Sequence, residues 1–75
     1  MTVDARQYRV YVEPLAERLG GGYVAYAPEL TGCVSDGETP GEALANIYDA
    51  VRCWIDAALS AGEQVPAPVA LRTAA

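Results

Sequence analysis

Polar and apolar residues alternate between residues 7 and 13, with Tyr8, Val10 and Val12 on one side and Arg9, Tyr11 and Glu13 on the other. A period of two predicts a half-buried strand, here ended by Pro14. A polar-rich connection covers residues 15–18. Gly20, Gly21 and Gly22 then give a turn that reverses the chain into a second strand over residues 23–27, so the two strands form a hairpin. Pro28 and Gly32 bracket another turn, Cys33, Val34 and Ser35 leave room for a short third strand, and Asp36-Gly37 is a turn dipeptide. From residue 40 the period becomes helical. Leu44, Ile47, Tyr48, Val51, Trp54, Ile55, Ala58 and Leu59 share one face, with Glu42, Asn46, Asp49, Arg52, Asp56 and Ser60 opposite. The pattern predicts one amphipathic helix over residues 40–61 packed on the sheet.

The start of that helix is written in detail. Thr39 followed three residues later by Glu42 is a capping box, in which the hydroxyl accepts from the Glu42 N–H and the carboxylate reaches back to the Thr39 N–H. Pro40 occupies the first helical position, where a missing donor costs nothing. Glu38 and Glu42 place negative charge at the positive end of the helix dipole. On the outer face the spacing allows Arg52 to pair with Asp49 and with Asp56. Gly62 supplies a left-handed cap, residues 64–68 lead away extended, residues 69–71 are a candidate edge strand, and residues 72–75 a frayed tail.

Three strands and one helix make an α+β, two-layer βββα(β) sandwich: an antiparallel hairpin, a third strand and one long helix covering a single face of the sheet. The other face is left open. It displays Arg9, Tyr11 and Glu13 from the first strand with either Val24 and Tyr26 or Tyr23 from the second, according to register. Tyrosines on an uncovered sheet face suit a protein interface. Glu29, Asp36 and Glu38, at the turns, are placed to meet a basic partner. The expected partner-binding positions are therefore Tyr11, Glu13, Tyr26, Glu29, Asp36 and Glu38.

Composition narrows the class. At 75 residues a single core is marginal, which favours association with a second copy or a partner. Hydrophobic residues make up 52% and no apolar run approaches the ~20 residues of a membrane span, so the pattern is that of a globular, non-membrane domain. The N-terminus lacks an apolar signal core, which makes a cytoplasmic location the expectation and the two cysteines free thiols. Cys33 reads as a small buried thiol, while Cys53 falls among Asp49, Asp56 and Ser60 on the outer helix face. With no His the chain lacks the commonest general base and metal ligand. Ten carboxylates against five Arg, net charge -5, argue against nucleic acid as a direct ligand and favour a basic partner. The triple glycine is not a phosphate loop, since neither a helix start nor a Lys-Ser/Thr pair follows it.

These residues in this order resemble the HicB-like antitoxins. The stretches that carry the likeness are Tyr8 to Glu13, Gly22 to Ala25, Pro28-Glu29-Leu30-Thr31-Gly32-Cys33, Asp36-Gly37-Glu38-Thr39-Pro40 with Glu42-Ala43-Leu44, and Gly62 with Pro66 and Pro68. Within them Pro28, Leu30, Gly32, Cys33, Gly37, Thr39, Pro40, Glu42 and Ala43 are motif positions of structural kind. The resemblance implies a degraded, partial RNase H-like fold that neutralises a small basic mRNA-cleaving toxin, HicA-like and of double-stranded-RNA-binding-like fold, by direct contact in a type II toxin–antitoxin system. Many such antitoxins continue into a ribbon-helix-helix or helix-turn-helix domain. A single domain over residues 1–75 leaves no room for one, so operator binding is not expected.

The RNase H likeness raises the question of catalysis. That chemistry needs several carboxylates converging on two divalent metals. The first strand has only Glu13, at its end, and Asp49 and Asp56 lie on the outer helix face, so neither an enzyme nor a metal or other cofactor is expected. The reading is a non-enzymatic antitoxin that self-associates as a dimer or tetramer. The alternative is a homo-oligomeric scaffold or small-ligand-binding domain without a toxin partner.

Overall fold

The computed structural model describes residues 4–68. A 3-10 turn at Ala5–Gln7 precedes strand β1 (Tyr11–Pro14), a second 3-10 turn at Glu17–Leu19, strand β2 (Tyr23–Tyr26), strand β3 (Val34–Gly37) and helix α1 (Pro40–Ser60). The sheet order is β1-β2-β3 with both pairs antiparallel. One face of this sheet carries α1, giving the α+β architecture expected. Residues 69–75, with the candidate edge strand and tail, lie outside the described residues.

β1 is shorter than residues 7–13, and the reason lies across the ladder. Tyr11 opposes Tyr26, so the same register continued would set Arg9 against Pro28, which has no N–H to pair. The Glu29 carboxylate takes the Arg9 N–H instead, at 2.8 Å. Upstream, the Asp4 carboxylate accepts from the Arg6 N–H at 2.9 Å and caps the first 3-10 turn. That backbone hydrogen bond, together with the Arg6 guanidinium, holds the Asp4 carboxyl below its usual range. Tyr8 still points inward as its parity requires. It is buried and donates its hydroxyl to the Pro66 carbonyl at 2.6 Å, which ties the segment after the helix to the start of the chain.

Asp36 and Gly37 are not a turn. They pair with Val24 and Tyr23 as the last residues of β3, and the chain leaves the sheet at Glu38 and Thr39. Gly37 belongs in the strand because α1 begins directly above it. A Cβ there would stand 2.5 Å from the Ala43 nitrogen and 2.9 Å from the Glu42 carbonyl carbon. The N-terminal cap forms from Thr39, whose Oγ accepts from the Glu42 N–H at 3.1 Å. The returning bond differs from a standard box: the Glu42 carboxylate accepts from the Glu38 N–H, at 3.2 Å, one residue before the cap.

At its other end α1 closes on Ala61, with Gly62 left-handed at φ 75°. The Gly62 N–H donates to the Leu59 carbonyl and the Glu63 N–H to the Ala58 carbonyl, the two bonds of a Schellman motif. The buried face of the helix is Ala43, Ile47, Val51 and Ala58, joined by Ala50, Trp54 and Ile55 at its margins. Leu44 and Leu59, assigned to that face by periodicity, are 38% and 62% exposed. The helix lies nearer β3 than β1, which rotates the contact stripe toward Ala43 and Ala50 and leaves the Leu44 flank in solvent. Asn46 bridges to β3 from the Ala43 and Ala50 side of the helix, donating to the Asp36 carbonyl at 2.8 Å. Of the two pairs expected on the outer face, Arg52 reaches Asp49 at 2.6 Å, and no ion pair to Asp56 is present among the described residues.

Candidate functional site

Register decides which side chains share the open face. Val12, Ala25 and Ser35 lie side by side across the three strands, and Ala25 is fully buried under α1. Pro14, Tyr23 and Gly37 are two residues along on that same inner face, with Tyr23 packed against the core. The pleat therefore sends the other two rows outward: Tyr11, Tyr26 and Val34, then Glu13, Val24 and Asp36. The sequence left Tyr23 or Tyr26 open for this face, and the pairing selects Tyr26.

The first outward row is aromatic and apolar. Tyr11 and Tyr26 stack with ring centroids 5.4 Å apart and an interplanar angle of 26°. Tyr11 is 45% and Val34 62% exposed, so the row presents apolar surface that nothing among the described residues covers. The second row sets two carboxylates on either side of Val24. The side chains of Glu13 and Asp36 enter no ion pair or hydrogen bond among the described residues. Apolar surface beside unneutralised charge is the composition of an interface centre with its polar rim.

The structure brings four of the six expected partner positions, Tyr11, Glu13, Tyr26 and Asp36, onto one face. Glu29 and Glu38 stand apart. Glu29 is half-buried in the turn after β2 and anchored on the Arg9 N–H. Glu38 is exposed in the connection from β3 to α1. Val34 was missed, because its place on this face follows only from its pairing with Tyr26.

The motif positions serve the scaffold. Between β2 and β3 the Ala27 N–H donates to the Cys33 carbonyl, the Leu30 N–H to the Ala27 carbonyl and the Cys33 N–H to the Leu30 carbonyl. Pro28 opens this turn, Gly32 takes φ 76°, and Leu30 drives into the core at 1% exposure. Trp54 holds the turn from the helix side, donating Nε1–H to the Thr31 carbonyl at 3.0 Å. Cys33 is buried beside it. Burial, then the Cys53 thiol, raises its pKa and keeps it a thiol, whereas Cys53 is exposed on α1. Gly37, Thr39, Pro40, Glu42 and Ala43 form the strand-to-helix junction, with Ala43 fully buried. These residues position Asp36 at the end of the open face.

Among the described residues no group of three or more His, Cys, Asp or Glu side chains is placed to hold a metal ion, and no helix is long and apolar enough to cross a membrane.

A model of the family described as the HicB-like antitoxin of bacterial toxin–antitoxin systems matches residues 8–75. Similar proteins include the UPF0150 protein ssr1765 of Synechocystis sp., 39% identical over 66 residues that cover 88% of this chain and 84% of the relative. The UPF0150 protein Ta0767 of Thermoplasma acidophilum is 41% identical over 46 residues, 61% of this chain and 67% of the relative. The UPF0150 protein ssl0259, also of Synechocystis sp., is 34% identical over 59 residues, 79% of this chain and 77% of the relative. No solved structure matches the chain significantly.

Proposed function

The chain belongs to the HicB-like antitoxins of bacterial toxin–antitoxin systems, and from that premise we propose that it neutralises a small basic, HicA-like mRNA-cleaving toxin by direct contact. Antitoxins act by binding, so the sheet and helix serve as a scaffold for a surface rather than for a reaction. The observation that carries the reading is the open sheet face, on which stacked Tyr11 and Tyr26 and exposed Val34 lie beside the carboxylates of Glu13 and Asp36, which have no ion-pair partner among the described residues. A toxin that cleaves mRNA needs a cationic surface for phosphates. An antitoxin with net charge -5 competes for that surface electrostatically and speeds its own association.

The three-stranded sheet with its single helix is, in this proposal, a partial RNase H-like fold that keeps the layer arrangement and, among the described residues, gathers no group of carboxylates placed to hold a metal ion. Self-association in a cytoplasmic complex belongs to the same reading, since a 75-residue domain with Leu44 and Leu59 in solvent gains stability by burying more apolar surface.

The test is to look beside this chain's gene for one encoding a short basic protein and to co-express the two. Expression of that protein alone should arrest growth and degrade mRNA, and co-expression should restore growth and yield a complex of the two on purification. Persistent arrest while this chain accumulates in folded form would refute the antitoxin role. A homo-oligomer with no second component would favour the scaffold reading.

A further inference from the structure

We infer that the open sheet face is a docking surface for a basic protein, and that an arginine side chain of that partner seats over Val24, against the Tyr11–Tyr26 pair and between Glu13 and Asp36. The inference rests on the antitoxin reading and names the chemistry its interface uses. Glu13, Val24 and Asp36 are neighbours across three strands spaced ~4.8 Å apart, so the two acidic backbones stand ~10 Å apart with Val24 as the floor between them. One planar cation fits that gap and meets a carboxylate on each side. The tyrosines lie two residues along, ~6.6 Å away, close enough for the flat guanidinium or its methylene stem to rest on the exposed ring of Tyr11 or on Tyr26. Arginine suits this place better than lysine because its planar, weakly hydrated head stacks on aromatics while still donating in the plane to carboxylates.

Charge selects against a second copy as the occupant. Two such faces packed together would enclose four carboxylates, and the six residues paired on the face, Tyr11, Tyr26, Val34, Glu13, Val24 and Asp36, include no cation. Those carboxylates would be buried with no partner supplied by the opposing face, which is costly. A single-stranded nucleic acid fits no better, since its phosphates would meet Glu13 and Asp36. The strand face measures only ~14 by ~13 Å, well under the ~800 Å² one partner contributes to a standard interface. A bound protein must therefore spread beyond it, toward the Glu29 and Glu38 turns that bound the sheet.

The experiment titrates the full chain, isotope-labelled for NMR, with a capped tetra-arginine peptide and with its tetra-lysine counterpart. Expected are shifts centred on Tyr11, Glu13, Val24, Tyr26, Val34 and Asp36, with arginine bound more tightly. The double variant E13Q/D36N should weaken the arginine peptide about tenfold, and Y11A should remove the preference for arginine. The control D49N/D56N, on the outer helix face, should change neither. Shifts spread over Glu17, Asp49 and Asp56, or unmoved by E13Q/D36N, would overturn the inference. So would a dimer that V34D disperses, or an oligo-uridylate that perturbs Tyr11 and Tyr26 at peptide-like concentrations. No toxin enters this titration, so its failure is separable from that of the antitoxin reading. Growth rescue that survives E13Q/D36N sinks the site alone, and peptide binding at the face without growth rescue sinks the antitoxin role.

Discussion

Gly37→Ala should loosen the junction of β3 and α1 far more than one methyl group suggests. The added Cβ would lie 2.5 Å from the Ala43 nitrogen, 2.9 Å from the Glu42 carbonyl carbon and 3.0 Å from the Ala43 Cα, all backbone atoms of the first helical turn. Side-chain contacts can be relieved by a rotamer change, but here strand and helix must separate. Restoring ordinary contact, beyond 3.4 Å, requires a movement of about 0.9 Å between two hydrogen-bonded elements. The Thr39 cap and the Asn46 bond to Asp36 hold that same junction and resist the movement. Overpacking typically costs 1–3 kcal/mol, and a clash with backbone on both sides belongs at the top of the range, about 3 kcal/mol. A domain of this length has roughly 4–11 kcal/mol in all. Thermal and urea unfolding followed by far-ultraviolet circular dichroism should show a Tm lower by roughly 12–24 °C. Gly41→Ala, where nothing lies within 4 Å of the new Cβ, should be neutral or stabilising by up to about 1 kcal/mol. A Gly37→Ala protein within about 0.5 kcal/mol of the parent would refute this account of the junction.

Other outcomes follow from contacts elsewhere. Thr39→Ala should cost about 1 kcal/mol in urea unfolding by orphaning the Glu42 N–H, and an unchanged midpoint would deny the cap. Tyr8→Phe removes the donor to the Pro66 carbonyl and should cost about 1 kcal/mol, with faster proteolysis over residues 63–68; equal cleavage rates would argue against that tie. A thiol reagent should label Cys53 in the folded protein and Cys33 only on unfolding, and equal rates would contradict the burial of Cys33. Because burial raises the Cys33 pKa, the folded state holds that proton more tightly than the unfolded chain does. Stability is then fully present below the ordinary thiol value of 9.0 and falls as pH rises beyond it, a slope that Cys33→Ser should diminish.

Local chemistry was legible wherever a few adjacent residues determine the outcome. The Thr39–Glu42 cap, Pro40 at the helix start, Gly62 at its end and the turn opened by Pro28 all rest on bonds within about five residues. Each forms from the backbone preferences of its own segment. Periodicity likewise identified the helix and placed Ile47, Val51 and Ala58 inside. The errors occur where distant segments meet. Asp36-Gly37 has turn chemistry but lies in β3, since Val24 and Tyr23 are there to pair with it and the glycine lets α1 approach. Leu44 and Leu59 suit an apolar helix face, but the tilt of that face was set by a helix seated toward β3.

The candidate site divides in the same way. The residue types for it, tyrosines and carboxylates in alternating strands, and the expectation of a basic partner from an excess of carboxylates over arginines, follow from the sequence itself. Which tyrosine joins Tyr11, and that Val34 and Asp36 complete the face, depended on pairing across three strands. A strand has a period of two, so a register slip of one residue would have turned Tyr23 outward and buried Tyr26. Alternation along a single strand is blind to that choice. The core decided it, because only with Ala25 beneath the helix and Gly37 beneath its first turn can α1 lie this close to the sheet.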